Sequence, residues 1–193
     1  FLAATIFNFA YAEREKRFVR GAFARYIAPD LLKKLEDHPD MLRLGGEIRD
    51  MTLMFMDVRN FTAISEKLTP EELVAFLNDL LSPLSDIIQR HDGAIDKYIG
   101  DSIMAFWNAP LDVEDHARKA CRAALEMLEE VEHLNKRDAF GFKTRGLGEV
   151  AIGIGINTGP GCVGNLGSST RFDYSVVGDT VNVAARLETA TKE

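Results

Sequence analysis

Two aspartates, Asp57 and Asp101, each stand where an apolar run gives out. The first follows Met51-Thr-Leu-Met-Phe-Met56 and opens Asp57-Val-Arg-Asn-Phe-Thr62. The second closes Lys97-Tyr-Ile-Gly-Asp101, between two short apolar stretches that read as a tight hairpin. Carboxylates on adjacent strand ends can share a pair of hard cations such as Mg²⁺, which takes oxygen ligands and keeps substrate phosphates in its shell. Two such ions bind both the attacking and the leaving oxygen of a phosphoryl displacement. The pattern therefore points to a class of reaction as well as to a metal site. Taken singly, strand-end and turn aspartates are common.

The elements that must position these groups follow from periodicity and punctuation. Residues 51–57 read as a strand. Thr69-Pro70 with Glu72 opens a helix running to about His91, with Thr69 as cap, Pro70 in the first turn and Glu72 completing a capping box. Asp92-Gly93 ends it. Residues 94–99 and 102–107 form the hairpin around Gly100-Asp101. A long helix over roughly 113–137 carries Val113, Ala117, Ala120, Ala124, Leu128 and Val131 at helical spacing. Strands are expected over about 149–157, around Cys162-Val163 and over 172–177, with a last helix after Gly178-Asp179. This alternation predicts an α+β, ferredoxin-like (split βαβ, palm-like) core.

Composition sets the frame. The 193 residues fit one catalytic-sized domain with an appendage, and 46% hydrophobic with 27% charged residues suits a packed core under a polar surface. The net charge of −7 disfavours nucleic acid as the main partner. Cys121 and Cys162 lie far apart without a CxxC spacing, and the four histidines show no short ligand spacing, so neither a disulfide framework nor a zinc site is suggested.

The N-terminus departs from that frame. Residues 1–12 are almost uncharged, and Arg14, Lys16, Arg17 and Arg20 then arrive within seven residues. Twelve residues fall short of the roughly 20 that span a bilayer. They fit the inner end of a transmembrane helix, with the basic cluster facing the cytoplasm; an amphipathic dimerisation helix is the alternative. Residues 13–46 then read as a signalling helix and linker, restarting at Ala28-Pro29 and ending at Gly45-Gly46.

One motif is a decoy. Gly159-Pro-Gly161-Cys-Val-Gly164 matches GxGxxG, but the fingerprint needs its last glycine to open a helix. Turn-like Asn165-Leu-Gly-Ser-Ser-Thr170 follows instead. The same stretch lacks the Lys-Ser/Thr of a P-loop.

From Glu47 onward these motifs, in this order and spacing, resemble the class III nucleotidyl cyclases, and Phe106-Trp-Asn-Ala-Pro110 looks like the bacterial members. The upstream helix resembles the juxtamembrane segment of receptor-type bacterial cyclases. The resemblance implies a cytoplasmic catalytic domain over 47–193, an upstream sensor in the same polypeptide and a full-length protein in the inner or plasma membrane. It assigns Asp57 and Asp101, with the Val58 carbonyl, to two divalent cations, Mg²⁺ or Mn²⁺. Asn60, Phe61 and Thr62 begin a helix whose free amides would cradle the β- and γ-phosphates of ATP; a plain helix cap has the same geometry. Lys97 matches the purine-selecting lysine, and alternation puts it on one strand face with Ile95 and Ile99. A snorkelling surface lysine is the plainer reading. Ser175 takes the second purine-selecting position, where adenylyl enzymes often carry Asp or Thr.

Gly178-Asp-Thr-Val-Asn182-Val-Ala-Ala-Arg186 matches the transition-state motif, with Asn182 and Arg186 four apart on one helical face. In the family, the metal aspartates of one protomer face the Lys, Asn and Arg of the other, so a homodimer with two shared sites is implied. Family members continue past this last helix into strands bearing a triphosphate-binding lysine, so the catalytic domain is expected to be truncated at Glu193. The implied activity is conversion of ATP to 3′,5′-cyclic AMP and pyrophosphate. The alternatives are a guanylate cyclase, argued against by Lys97, and a silent nucleotide-sensing or dimerisation module, opposed by the intact motifs. A diguanylate cyclase would need a Gly-Gly-Asp/Glu-Glu-Phe turn, and Ile99-Gly100-Asp101-Ser102 stands in its place.

Overall fold

Strand β1 (Gly45–Val58) is apolar on both faces, and that decides its place in the molecule. Met51 and Leu53 bury to one side, Met54, Met56 and Val58 to the other. A strand with two buried faces belongs in the middle of a covered sheet. The computed structural model describes residues 44–168 and 170–191, and β1 is the central strand of a five-stranded sheet there. The chain divides into two units, residues 1–42 and 43–193, and the description is of the second. The expected membrane segment and signalling helix therefore lie outside the described residues, as does the chain's end at 192–193. Among the described residues no helix is long and apolar enough to cross a membrane.

The remaining elements are α1 (Phe61–Ser65), α2 (Pro70–Arg90), β2 (Ala94–Ile99), β3 (Ser102–Trp107), α3 (His116–Lys136), β4 (Ile152–Ser168), β5 (Arg171–Val177) and α4 (Asp179–Ala190). The sheet order is β2-β3-β1-β4-β5, and every neighbouring pair is antiparallel. The crossover through α1 and α2 and the crossover through α3 each join parallel strands that straddle a third, which is the split βαβ arrangement expected.

One face of the sheet is covered by α2 and α3. Phe76, Leu80, Leu84, Ile87 and Ile88 of α2, with Ala120, Ala123, Met127, Val131 and Leu134 of α3, pack on Met54, Met56, Ile103, Ala105 and Trp107. The α2 capping box forms as expected: Thr69 Oγ1 accepts from Glu72 N, and Glu72 Oε2 accepts from Thr69 N at 2.8 Å. Helix α3 begins three residues later than its spacing suggests, because Asp115 adopts a left-handed φ of 55° at the cap. Its buried stripe is also rotated: Ala117 and Leu128 face solvent, and Ala123 and Met127 take their place.

Two strands differ from expectation. β1 starts six residues early, since its polar first half gains a partner along β4 from Gly45↔Asn165 to Val58↔Ile152. β4 is one strand of 17 residues where two short ones were expected. Its glycines and Pro160 read as breaks, yet β5 pairs only from Cys162 onward. Pro160 thus sits where the strand has a single neighbour and a missing N–H is tolerated.

The second face is concave. A flat sheet would separate β2 from β5 by four spacings, about 19 Å, yet Ser175 Oγ of β5 donates to Asp96 Oδ2 of β2 at 2.6 Å. The sheet must curl to bring its borders together, enclosing Met51, Leu53, Met104, Phe106, Val163 and Val176 with Ala184 of α4. Phe106 and Tyr174 touch across the hollow, with ring centroids 6.3 Å apart.

Candidate active site

The carboxylate pair forms at one end of the sheet. Asp57 is the penultimate residue of β1, and Asp101 occupies the β2–β3 turn beside it. Gly100, at φ 64°, supplies the positive angle that the first central position of a two-residue hairpin requires. Ser102 Oγ donates to Asp57 Oδ1 at 2.6 Å, and the Val58 amide donates to Asp101 Oδ2 at 3.3 Å. Burial, reinforced by the neighbouring Asp57 charge, holds the Asp101 carboxyl above the ordinary carboxylate range, against the pull of its own amide and that of Val58.

A carboxylate pair in which the Asp57 charge disfavours ionisation of Asp101 is a fitting host for hard cations, and an all-oxygen donor set suits Mg²⁺ or Mn²⁺. Among the described residues no group of three or more His, Cys, Asp or Glu gathers as a metal cluster. Any cation here would complete its shell with water or substrate oxygens.

The segment leaving β1 is tied down by a residue the sequence reading passed over. Arg59 donates through its Nη1 to Glu188 Oε1 at 2.7 Å and also bonds Thr191 Oγ1, both groups at the end of α4. Its guanidinium lies against Gly153, where a Cβ would collide with it. Gly153 and Gly155 thus let Arg59 and α4 lie against the strand, while the glycines of the decoy motif serve close packing: Gly159 faces the Thr180 side chain and Gly164 the backbone of Gly45 and Gly46. Beyond Arg59, Asn60 takes a left-handed φ of 56° as the cap of α1, with no side-chain capping bond. Phe61 and Thr62 follow in its first turn.

The base-selecting candidates meet elsewhere, on the concave side. The expected strand alternation is wrong at Lys97, because the register shifts between Ile95 and Lys97. Asp96 is the extra residue of this bulge. Lys97 consequently pairs with Met104 and shares its face with Ile99, while Ile95 packs against the α2 side. The Lys97 side chain is 42% exposed, and its Nζ lies 3.5 Å from Asp96 Oδ1. Ser175 is buried and bonded to Asp96. The structure thus joins Lys97 and Ser175 through an aspartate the sequence reading missed. The only signal was a charged residue inside an apolar strand.

Asn182 and Arg186 stand apart from both pairs. Helix α4 anchors by Thr180, Ala184 and Glu188, which are buried against β4, and Thr180 Oγ1 donates to Pro160 O at 2.7 Å. Asn182 and Arg186 each follow this ridge by two residues, about 200° around the helix. Both are exposed, and neither makes a side-chain hydrogen bond or ion pair among the described residues.

Known proteins resemble this chain in sequence and in fold. The sequence profile of the adenylate and guanylate cyclase catalytic domain matches residues 46–193. Adenylate cyclase 1 of Rhizobium meliloti is 39% identical over 171 residues, covering 89% of this chain and 25% of that protein. The chain therefore spans about a quarter of that relative's length. The crystal structure of the guanylyl cyclase Cya2 superposes with a TM-score of 0.69 at 39% identity, covering 76% of this chain and 73% of that one. The adenylyl cyclase CyaB from P. aeruginosa gives 0.70 at 35%, covering 76% and 74%. With a split βαβ sheet, an aspartate pair at its strand ends and a profile match over residues 46–193, the chain belongs to the class III adenylate and guanylate cyclase catalytic domain family.

Proposed function

We propose that the domain is an adenylate cyclase that converts ATP to 3′,5′-cyclic AMP and pyrophosphate. The observation that carries this reading is the convergence of Lys97 and Ser175 on one buried carboxylate. A lysine donor matches N1 of adenine, and a hydroxyl acceptor matches its 6-amino group; guanine reverses both. Asp57, Asp101 and the Val58 carbonyl would hold two divalent cations, Mg²⁺ or Mn²⁺, which when bound stabilise charge on the phosphates. The amides at Asn60, Phe61 and Thr62 face the β- and γ-phosphates in this reading. Asn182 orients the ribose so that its 3′ oxygen lies in line with the α-phosphorus, and the Arg186 guanidinium neutralises charge growing there as pyrophosphate leaves. Positioning and charge stabilisation carry such a reaction.

The reading includes a two-fold homodimer with shared sites. Support comes from α4, whose Asn182 and Arg186 point away from their own sheet and are thereby available to a partner's aspartates. The uncharged run 1–12 followed by Arg14, Lys16, Arg17 and Arg20 supports a place at the inner face of a membrane, beneath an upstream sensor.

The experiment is an assay of the protein with ATP and GTP, each with Mg²⁺ and Mn²⁺. Strong preference for ATP is expected. Equal or better use of GTP would put the guanylate reading ahead, which the 39% identity to Cya2 favours. Binding of nucleotide without turnover of either would leave a silent nucleotide-sensing module.

A further inference from the structure

Asp96 is a buried charged group between the two base-selecting candidates that the reaction scheme does not use. Its side chain is 1% exposed. One oxygen, Oδ2, accepts from Ser175; the other, Oδ1, is buried without a hydrogen-bond partner among the described residues, and the nearest cation is the Lys97 ammonium at 3.5 Å. Burying a carboxylate this deeply is costly unless it is paired. Burial also holds its carboxyl above the ordinary range, against the pull of Ser175 and Lys97. A bulge, which re-aims a side chain, is the device that puts it there.

We propose that Asp96 is a positioning residue for base recognition: it fixes the Ser175 hydroxyl as an acceptor toward the purine, and so selects a 6-amino base. The inference rests on reading Lys97 and Ser175 as the base-recognition pair. A hydroxyl carries one hydrogen and two lone pairs. With that hydrogen committed to Asp96 at 2.6 Å, only lone pairs remain for a ligand. They welcome the adenine amino group and repel the guanine carbonyl at the same position. The ionised carboxylate also keeps the Lys97 ammonium close by, as a donor for N1.

The test measures kcat/KM of the intact protein for ATP, GTP and purine riboside triphosphate, which carries no group at position 6. Asp96→Asn lets the serine accept from the new amide and turn its hydrogen to the base. The ATP-over-GTP ratio should then fall by about tenfold or more, because selection depends on which buried polar groups are left unpaired. Purine riboside triphosphate should be nearly indifferent. The effect on ATP should largely vanish in a Ser175→Ala background, as expected of two residues acting as a unit. Dissociation constants for non-cyclisable ATP and GTP analogues should shift in the same sense. Asp96→Ala, which removes the charge without adding bulk, is the second variant should the first not fold, with the same loss of selectivity expected. An unchanged ratio, or equal losses for all three nucleotides, would overturn the inference while leaving the adenylate reading standing. A wild-type protein that prefers GTP would overturn both.

Discussion

At the scale of single residues, the Asp57–Asp101 pair works against folding and for chemistry. Ser102 donates to Asp57 and the Val58 amide to Asp101, and burial together with the neighbouring Asp57 charge disfavours ionisation of Asp101. Asp57→Ala or Asp101→Ala should therefore abolish cyclisation and leave the thermal unfolding midpoint unchanged or raised. Activity above about a tenth of wild type, under ~1.4 kcal/mol in the barrier, would count against a cation role for that residue. Lys97→Glu with Ser175→Cys presents an acceptor where guanine has donors, and comparison of kcat/KM for the two nucleotides should show the ATP preference eroded. The aspartate pair was legible in the sequence because each member sits beside punctuation: the end of an apolar run, and a Gly-Asp turn. Asp96 was not legible. A charged residue in an apolar strand is too weak a mark to place a bulge, and alternation read straight through it gives Lys97 the wrong neighbour.

At the scale of elements, the contact between β4 and α4 governs where Asn182 and Arg186 are presented. A Cβ on Gly155 would run into the Glu188 amide and the Ala184 carbonyl, backbone atoms that cannot rotate away. Gly155→Ala should push α4 off the strand and cost about 1–3 kcal/mol of stability, as overpacking does. Urea unfolding reads the cost directly, and full activity with an unchanged midpoint would show that α4 is not seated by this contact. The capping box of α2 and the β2–β3 hairpin were legible because their signals lie within a few residues of one another. The length of β4 was not. Its continuity comes from pairing with β1, residues roughly a hundred positions earlier, and that overrides glycines and a proline that locally read as breaks.

At the scale of the whole molecule, the Arg59–Glu188 ion pair ties the segment two residues past Asp57 to α4, the helix that carries Asn182 and Arg186. If the two functions serve different sites of a dimer, each protomer rigidly links half of one site to half of the other. Co-expressing Asp57→Ala with Arg186→Ala protein should then restore activity, because one composite site regains every residue. Recovery approaching a quarter of wild type is expected for random assortment of two inactive chains, about half of the dimers mixed with one good site each. No recovery from demonstrated mixed dimers would place the whole site within one chain. The bulge has a consequence of another kind. β2 forms a border of the sheet, and a regular border offers unpaired N–H and C=O groups as a template for a foreign strand. The extra residue at Asp96 breaks that row, and Lys97 sets an exposed charge just past the break. The irregularity that gathers Lys97, Asp96 and Ser175 thereby also blunts the edge against aggregation.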